Sequence, residues 1–248
     1  MPGSMMGLKS AIAVLPLLAI GAGCASMHYS GMLQSGVENW NRWRGENKIA
    51  RPDLRKAHLK GANLAGAFLE DANLMGADLE GANLEKANLQ RATLTFANLT
   101  KADLRGANLT EAFARNARLG KADLRGTDLE GADLRQDSLT GDSLQGDNLH
   151  GADLREAELH GADLLGTDLR EADLREVDLD ESDFRNVKSF YKTKLDPDVL
   201  AVIKAKWPEK LATIWNDAKK KWAVDDTLLA QIKKPDWRGW LEQEDREQ

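Results

Sequence analysis

The chain is poor in nearly everything that catalysis, metal binding or covalent stapling requires. One cysteine, Cys24, in 248 residues excludes an intramolecular disulfide framework. The four histidines, His28, His58, His150 and His160, lack the close spacing of a metal-binding set. No glycine-rich phosphate loop follows a strand and no nucleophile elbow is present, so neither enzymatic activity nor a cofactor is expected. Aromatic residues make up 6% of the chain, and all seven tryptophans (Trp40, Trp43, Trp207, Trp215, Trp222, Trp237 and Trp240) lie in its two flanks. The middle must therefore pack without large rings. No apolar run reaches the roughly 20 residues of a membrane-spanning helix, and the longest, Ala11 to Ala22, is interrupted by Pro16 and Gly21.

What fills the middle is a repeat. From Pro52 to Asn186 the pattern Ala-(Asp/Asn)-Leu-x-x recurs every five residues without insertion, giving 27 repeats centred on Leu54, Leu59 and so on to Phe184. The centre is Leu or Phe in 26 of them; only Ala114 departs, directly after Phe113. Ala stands two positions before the centre in 19 repeats, and Asp or Asn one position before it in 19. A period of five fits neither a strand nor a helix and signals a solenoid. Apolar residues at i−2 and i share one side of a short extended piece, which must face an interior. Asp or Asn at i−1 and Gly at i+2 are turn residues, suited to bonding a nearby amide or accepting positive φ.

The residues resemble the pentapeptide repeat family, whose A(D/N)LXX motif implies an all-β solenoid. Members form a right-handed quadrilateral β-helix with four repeats, twenty residues, per coil. The 27 repeats then build nearly seven coils, a rod roughly 32 Å long at about 4.8 Å per coil. In that frame Asp133, Asp153 and Asp173 stack in one outward column and Arg115, Arg135, Arg155 and Arg175 in its neighbour, opposite ladders that relieve like-charge stacking. His150 and His160, ten residues apart, fall on opposite faces.

Inside the same frame, Asp137, Asp142 and Asp147 occupy three successive inward i−2 positions where Ala is the rule. Buried carboxylates are costly unless bonded or neutralised. The expectation is a polar seam of bound water or proton-holding carboxyls, with Thr127 and Thr167 flanking Asp147; a cation site or an outward rotation of the repeats are the alternatives. At Phe113-Ala114 a gap or bulge in the leucine ladder is expected.

The flanks read differently. Met1–Gly23 has one basic residue, Lys9, before its apolar run, as in a signal peptide. Gly21-Ala22-Gly23-Cys24 resembles the lipobox of bacterial lipoproteins, which implies lipid on Cys24 and a place in the cell envelope, on the outer membrane or the periplasmic face; Gly21 stands where that motif usually has Leu. Residues 24–51 form the mature amino terminus, with a capping helix over Met32–Glu46 that resembles the leader helix before many such arrays; Trp40 and Trp43 beside Arg42 and Arg44 are otherwise suited to a ligand or a lipid surface. Residues 187–248 are expected to be a helical cap and tail. One helix starts at Asp196-Pro197 and ends before Pro208, a second carries Trp207, Leu211, Ile214, Trp215, Ala218 and Trp222, and a third starts at Asp225-Asp226 and stops before Pro235. Lys219, Lys220 and Lys221 are either a solvated run or an interfacial anchor. This tail is the expected partner-binding or self-association segment, either for a protein partner or for a homodimer through its helices, with Trp215 and Trp222 as candidate interaction residues.

Net charge is −6 but unevenly spread: +3 over 1–51, +2 over 52–121, −13 over 122–186 and +2 over 187–248. The expected function is a non-enzymatic scaffold or protein-interaction module, a lipid-anchored envelope protein with a protein partner and no nucleic acid. The alternative implied by the resemblance is an acidic mimic of B-form DNA that binds a type II topoisomerase and protects gyrase from quinolones. Charge over 122–186 approaches the density of DNA, about one per 1.7 Å, but the first half of the rod is slightly positive.

Overall fold

The computed structural model describes residues 22–47, 51–177, 187–216 and 221–234. Asp53 bridges Asn73 in parallel, Asn73 bridges Thr93, and the same step of twenty runs without interruption to Asp153 and Asp173. A step of twenty with five-residue repeats means four repeats per coil. Each i−1 residue is the bridging residue, so its two neighbours, i−2 and i, face the interior. Every described centre from Leu54 to Leu174 is buried to 2% exposure or less, including Ala114.

Corners follow from turn chemistry. The amide of each following i−2 residue donates to the centre's carbonyl, as Ala57 N does to Leu54 O (3.1 Å). This closes a four-residue turn whose third residue is at positive φ, as in a type II turn. All i+2 residues from Lys56 to Glu176 have φ between 54° and 75°, twelve of them glycine and thirteen not. The i−1 carboxylate or amide has a separate task. Asp53 Oδ1, Asn73 Oδ1, Asp103 Oδ1 and their equivalents accept the i+1 backbone amide at 2.9–3.4 Å, holding the turn from outside.

Phe113-Ala114 produces no bulge. Leu94 N donates to Phe113 O (2.7 Å) and Ala114 N to Asp133 O (2.9 Å), lengths normal for the ladder. The outward Phe keeps the backbone position of an ordinary i−1 residue, because register is set by the backbone bridges and not by side-chain size.

The expected end of the array at Asn186 lies outside the described residues, and bridging resumes beyond it. Asp168 pairs with Ser189 and Asp173 with Lys194, a step of twenty-one, so the stretch between Arg175 and Lys188 contains one extra residue. Phe190 and Leu195 take over as buried centres, and the coil extends past the expected boundary.

The N-terminal helix expected over Met32–Glu46 is instead two helices, α1 (Ala22–Gln34) and α2 (Val37–Asn47). Gly36 at φ 128° breaks them, a conformation that a residue with a side chain rarely adopts. The side chains of α2 bond the open backbone edge of the first coil. Trp40 Nε1 donates to Phe68 O (2.8 Å), Asn41 Nδ2 to Gly66 O (2.9 Å) and Arg44 Nη2 to Glu70 O (3.0 Å), while Asn41 Oδ1 accepts Phe68 N–H (2.8 Å). Tyr29, Trp40 and Trp43 pack together behind them, ring centroids 5.2–6.4 Å apart.

At the other end α3 (Pro197–Lys206) and α5 (Asp226–Ile232) lie where the proline and aspartate signals place them, Asp225 Oδ1 accepting Leu228 N–H at 3.0 Å. The second expected helix is corrected. Among its described residues only α4 (Pro208–Leu211) is helical, followed by two antiparallel strands, β1 (Thr213–Asn216) with β2 (Lys221–Val224), in which Trp215 is the backbone partner of Trp222. Ile214-Trp215 and Trp222-Ala223-Val224 satisfy a helical stripe and a β pair equally well, and Thr, Ile, Val and Trp favour the strand. Of the lysine run only Lys221 is described, at the start of β2. No described helix is long and apolar enough to cross a membrane.

Candidate functional site

Asp137, Asp142 and Asp147 are as buried as the leucines, at 1% exposure or less. Their i−2 position turns each carboxyl back towards the coil before it. Asp137 Oδ1 accepts Ala117 N–H (2.8 Å), Asp142 Oδ1 accepts Ala122 N–H (3.1 Å) and Asp147 Oδ1 accepts Thr127 N–H (2.9 Å). In all three the Oδ2 atom is buried without a partner. Desolvation dominates: Asp137 is pushed up to about 9 and Asp142 and Asp147 to about 8, against the partial relief of the backbone amides. Burial therefore favours the proton-bound form of all three carboxyls. Among the described residues no group of acidic or histidine side chains is arranged to hold a metal ion.

The flanking threonines do something different from what their stacking suggests. Thr127 Oγ1 donates to Leu104 O (3.0 Å) and Thr167 Oγ1 to Leu144 O (2.8 Å), so neither hydroxyl bonds Asp147. A threonine at i−2 supplies a carbonyl of the preceding coil with an extra donor and is itself satisfied. An aspartate at i−2 uses one oxygen and strands the other.

Outward, the acid–base ladder is present. Arg135 grips Asp133 at 2.7 Å and reaches Asp153 at 3.5 Å; Arg155 repeats this with Asp153 and Asp173 at 2.7 and 3.7 Å; Arg175 closes on Asp173 at 2.6 Å. Arg115 in the same column bonds Gln136 Oε1 instead (3.1 and 3.2 Å), because Phe113 stands where its aspartate would be. His150 lies 3.6 Å from Glu130 in its own column and 3.8 Å from Glu171 at the adjoining corner. A groove of about 680 Å³ opens between the α1–α2 junction and the first coil, lined by Leu33, Val37, His58 and Lys60 among others.

Three sequence-marked residues belong to other parts of the molecule. Cys24 falls within α1, and Trp215 and Trp222 in the β1–β2 strand pair, far in sequence from the aspartates. The sequence reading overlooked Met75 and Phe96, exposed by 41% and 63% on the side of the rod that also carries Phe113, exposed by 50%. The available signal was a large apolar residue at an outward slot of an otherwise polar column.

The model of pentapeptide repeats matches eight copies, over residues 53–91, 87–126, 97–136 and 148–186. Among solved structures, the chain is similar to HetL, a pentapeptide repeat protein involved in heterocyst differentiation regulation in the cyanobacterium Nostoc sp. strain PCC 7120. The identity is 39% over 53% of this chain, with a TM-score of 0.37, and the chain spans 63% of the length of that protein. A second Nostoc pentapeptide repeat protein is 34% identical over 44% of this chain and 84% of its own, with a TM-score of 0.33. QnrB1, a plasmid-mediated fluoroquinolone resistance protein, is 20% identical over 62% of this chain and 91% of its own, with a TM-score of 0.46. No curated protein matches the chain. With its A(D/N)LXX array, twenty-residue bridging step and matching model, the chain belongs to the pentapeptide repeat family, whose members fold as right-handed β-helices.

Proposed function

We propose that the protein is a non-enzymatic scaffold of the bacterial envelope, exported by Met1–Gly23, anchored by lipid on Cys24, and presenting its rod to a protein partner. The observation that carries the scaffold reading is the filled interior: every described centre is buried and the i−2 positions pack beside them, leaving recognition to the outward columns. The helices at the two ends act as caps. Those of α2 satisfy the first coil's amides and carbonyls, which would otherwise form an open edge prone to pairing with other chains. The anchoring reading rests on Gly21-Ala22-Gly23-Cys24 after an apolar run. α3 and α5 are the surfaces for a homodimer.

Mass spectrometry of the mature chain tests this. A diacylated or triacylated Cys24 at the amino terminus, with the protein in the membrane fraction and Cys24→Ala released or unprocessed, is the expected result. An intact, unmodified Met1 start in the soluble cytoplasm overturns envelope anchoring. It favours the second reading, a topoisomerase-binding DNA mimic, for which the −13 over residues 122–186 is the supporting observation.

A further inference from the structure

The scaffold reading leaves open which surface does the binding, and the outward columns are not equivalent. Two phenylalanines on coils three and four break the repeat's local rules and remain half or more exposed. Phe96 sits at a corner with φ 61°, where twelve other repeats use glycine, yet its side chain is 63% exposed. Bulky residues at positive φ are strained. Its amide bond to Arg115 O is 3.4 Å, the longest of that column, against 2.9–3.3 Å from Lys56, Gly76, Asn116, Gln136 and Glu156. Phe113 occupies an i−1 slot and forfeits both the oxygen that holds the turn and the carboxylate that Arg115 would grip. Local stability argues against both residues, and such departures concentrate where a molecule binds.

Positive charge surrounds them. Phe96 and Asn116 stack in the corner column, and Arg118 lies one step further round, on the next face. Lys101 and Lys121 stack at that face's far corner, twenty residues apart. Arg118, Lys101 and Lys121 are exposed, and these three and Arg115 make no ion pair among the described residues. Elsewhere along the array arginines are matched to carboxylates.

We propose that Phe96, Phe113 and Arg115, with Arg118, Lys101 and Lys121 round the corner, form a docking surface for a short protein segment that carries apolar side chains interleaved with carboxylates. This rests on the rod being an interaction module and names the face and the partner's chemistry. Charge complementarity selects an acidic partner. Size selects a short one: two coils span about 10 Å, roughly three residues of extended chain. Immediately beyond, residues 122–186 carry a formal −13; three of those carboxyls are the buried aspartates, and the outward excess that remains repels a long polyanion or an anionic bilayer laid along the rod.

Fluorescence anisotropy with the full chain tests the proposal, using a labelled peptide that alternates glutamate with phenylalanine and leucine, and a control with lysine for glutamate. The expected result is binding of the acidic peptide only, weakened at least tenfold by Phe96→Gly or Phe113→Asp. Both variants restore repeat chemistry, so their melting temperatures should hold or rise by roughly 2–4 °C, which separates lost binding from lost fold. Absent binding, or binding that both variants retain, overturns the proposal while leaving the scaffold reading to another face. Preference for phosphatidylglycerol vesicles, or a wild-type dimer that the variants dissociate, overturns it in favour of a membrane or a second copy. Loss of Cys24 lipidation bears on anchoring alone.

Discussion

The lower half of the rod, residues 52–121, is regular inside and carries most of the outward apolar departures, whereas in the upper half, from Ala122, the departures are mainly inward and Leu165 is the exposed outward exception. Below, all i−2 positions from Ala57 to Ala117 are alanine; Met75, Phe96 and Phe113 interrupt the outward columns. Above, Asp–Arg pairs repeat outward from Asp123 to Arg175, and the departures, Thr127, Asp137, Asp142, Asp147 and Thr167, are buried. Inside and outside obey different limits. An inward polar group must find partners in the neighbouring coils or lose the hydration it gave up. An outward apolar group loses only the turn bond and ion pair of the residue it replaced. The inward departures therefore govern stability, and the outward ones are where binding can be added at small cost.

The largest test of this contrast removes the inward acids. Asp137→Ala, Asp142→Ala and Asp147→Ala each eliminate a stranded oxygen worth about 1–3 kcal/mol, so the triple variant should melt several degrees higher at pH 8. The gain should shrink towards pH 4, where only the cost of the stranded oxygens remains. Unfolded, each carboxyl releases its proton near its ordinary value of 3.8; folded, Asp142 and Asp147 keep theirs to about 8 and Asp137 to about 9. Between those limits the folded state binds more protons, so wild-type stability falls as pH rises through that window. The outward acids have the opposite sign. Hydrogen bonds from Arg105, Arg125 and Arg135 hold Asp103, Asp123 and Asp133 below the ordinary range, and that contribution is present above 3.8 and lost as pH falls through the lowered values. Thermal melts from pH 3 to 9 on wild type and triple variant separate the two. Parallel curves above pH 4 would show that the seam is solvated and the halves alike.

A second experiment moves the defect. Ala97→Asp places a carboxyl at an inward position of the lower half, between Ala77 and Ala117 in its column. It should cost about 1–3 kcal/mol at pH 8 and much less at pH 4, reproducing the seam where the rod is otherwise regular. A neutral outcome at pH 8 means the lower core admits water, and the comparison fails.

The coil and its contents were legible because the repeat fixes each residue's direction: period five put i−2 and i inside, and three aspartates there had to be buried and strained. What was not legible depended on choices that side chains make at fixed backbone positions. Thr127 and Asp147 stack in one column, but a hydroxyl rotates freely to a carbonyl and Leu104 O is within reach, so it never meets the carboxyl. The break at Gly36 was missed because Leu33, Val37 and Trp40 keep helical spacing across it. The pairing of β1 with β2 was missed because eight residues do not distinguish periods 2 and 3.6. The added residue between Arg175 and Lys188 left the leucine pattern intact on both sides.

A third, smaller effect separates threonine from aspartate at the same position. Thr127→Val keeps shape and removes the donor to Leu104 O, which should cost about 0.5–1.5 kcal/mol with no dependence on pH between 4 and 9. A pH-dependent loss would mean that the hydroxyl also serves Asp147, whose Oδ1 already takes the Thr127 amide.

The smallest effect lies outside, at Phe113→Asp. The new carboxylate would accept the Arg115 amide, as Asp133 does from Arg135, and would turn the Arg115 guanidinium away from Gln136. The turn bond is worth about 0.5–1.5 kcal/mol, and an exposed pair about 0–1 kcal/mol. A double-mutant cycle with Arg115→Gln divides them, because only the pair is lost in the second variant. The coupling should be under about 1 kcal/mol and shrink towards zero at 1 M salt, where the screening length is about 3 Å, while the turn contribution persists. If the single variant is instead destabilised, the Phe113 ring is packing against its neighbours despite its exposure. The outward departures of the lower half would then belong to stability, as the inward ones of the upper half do.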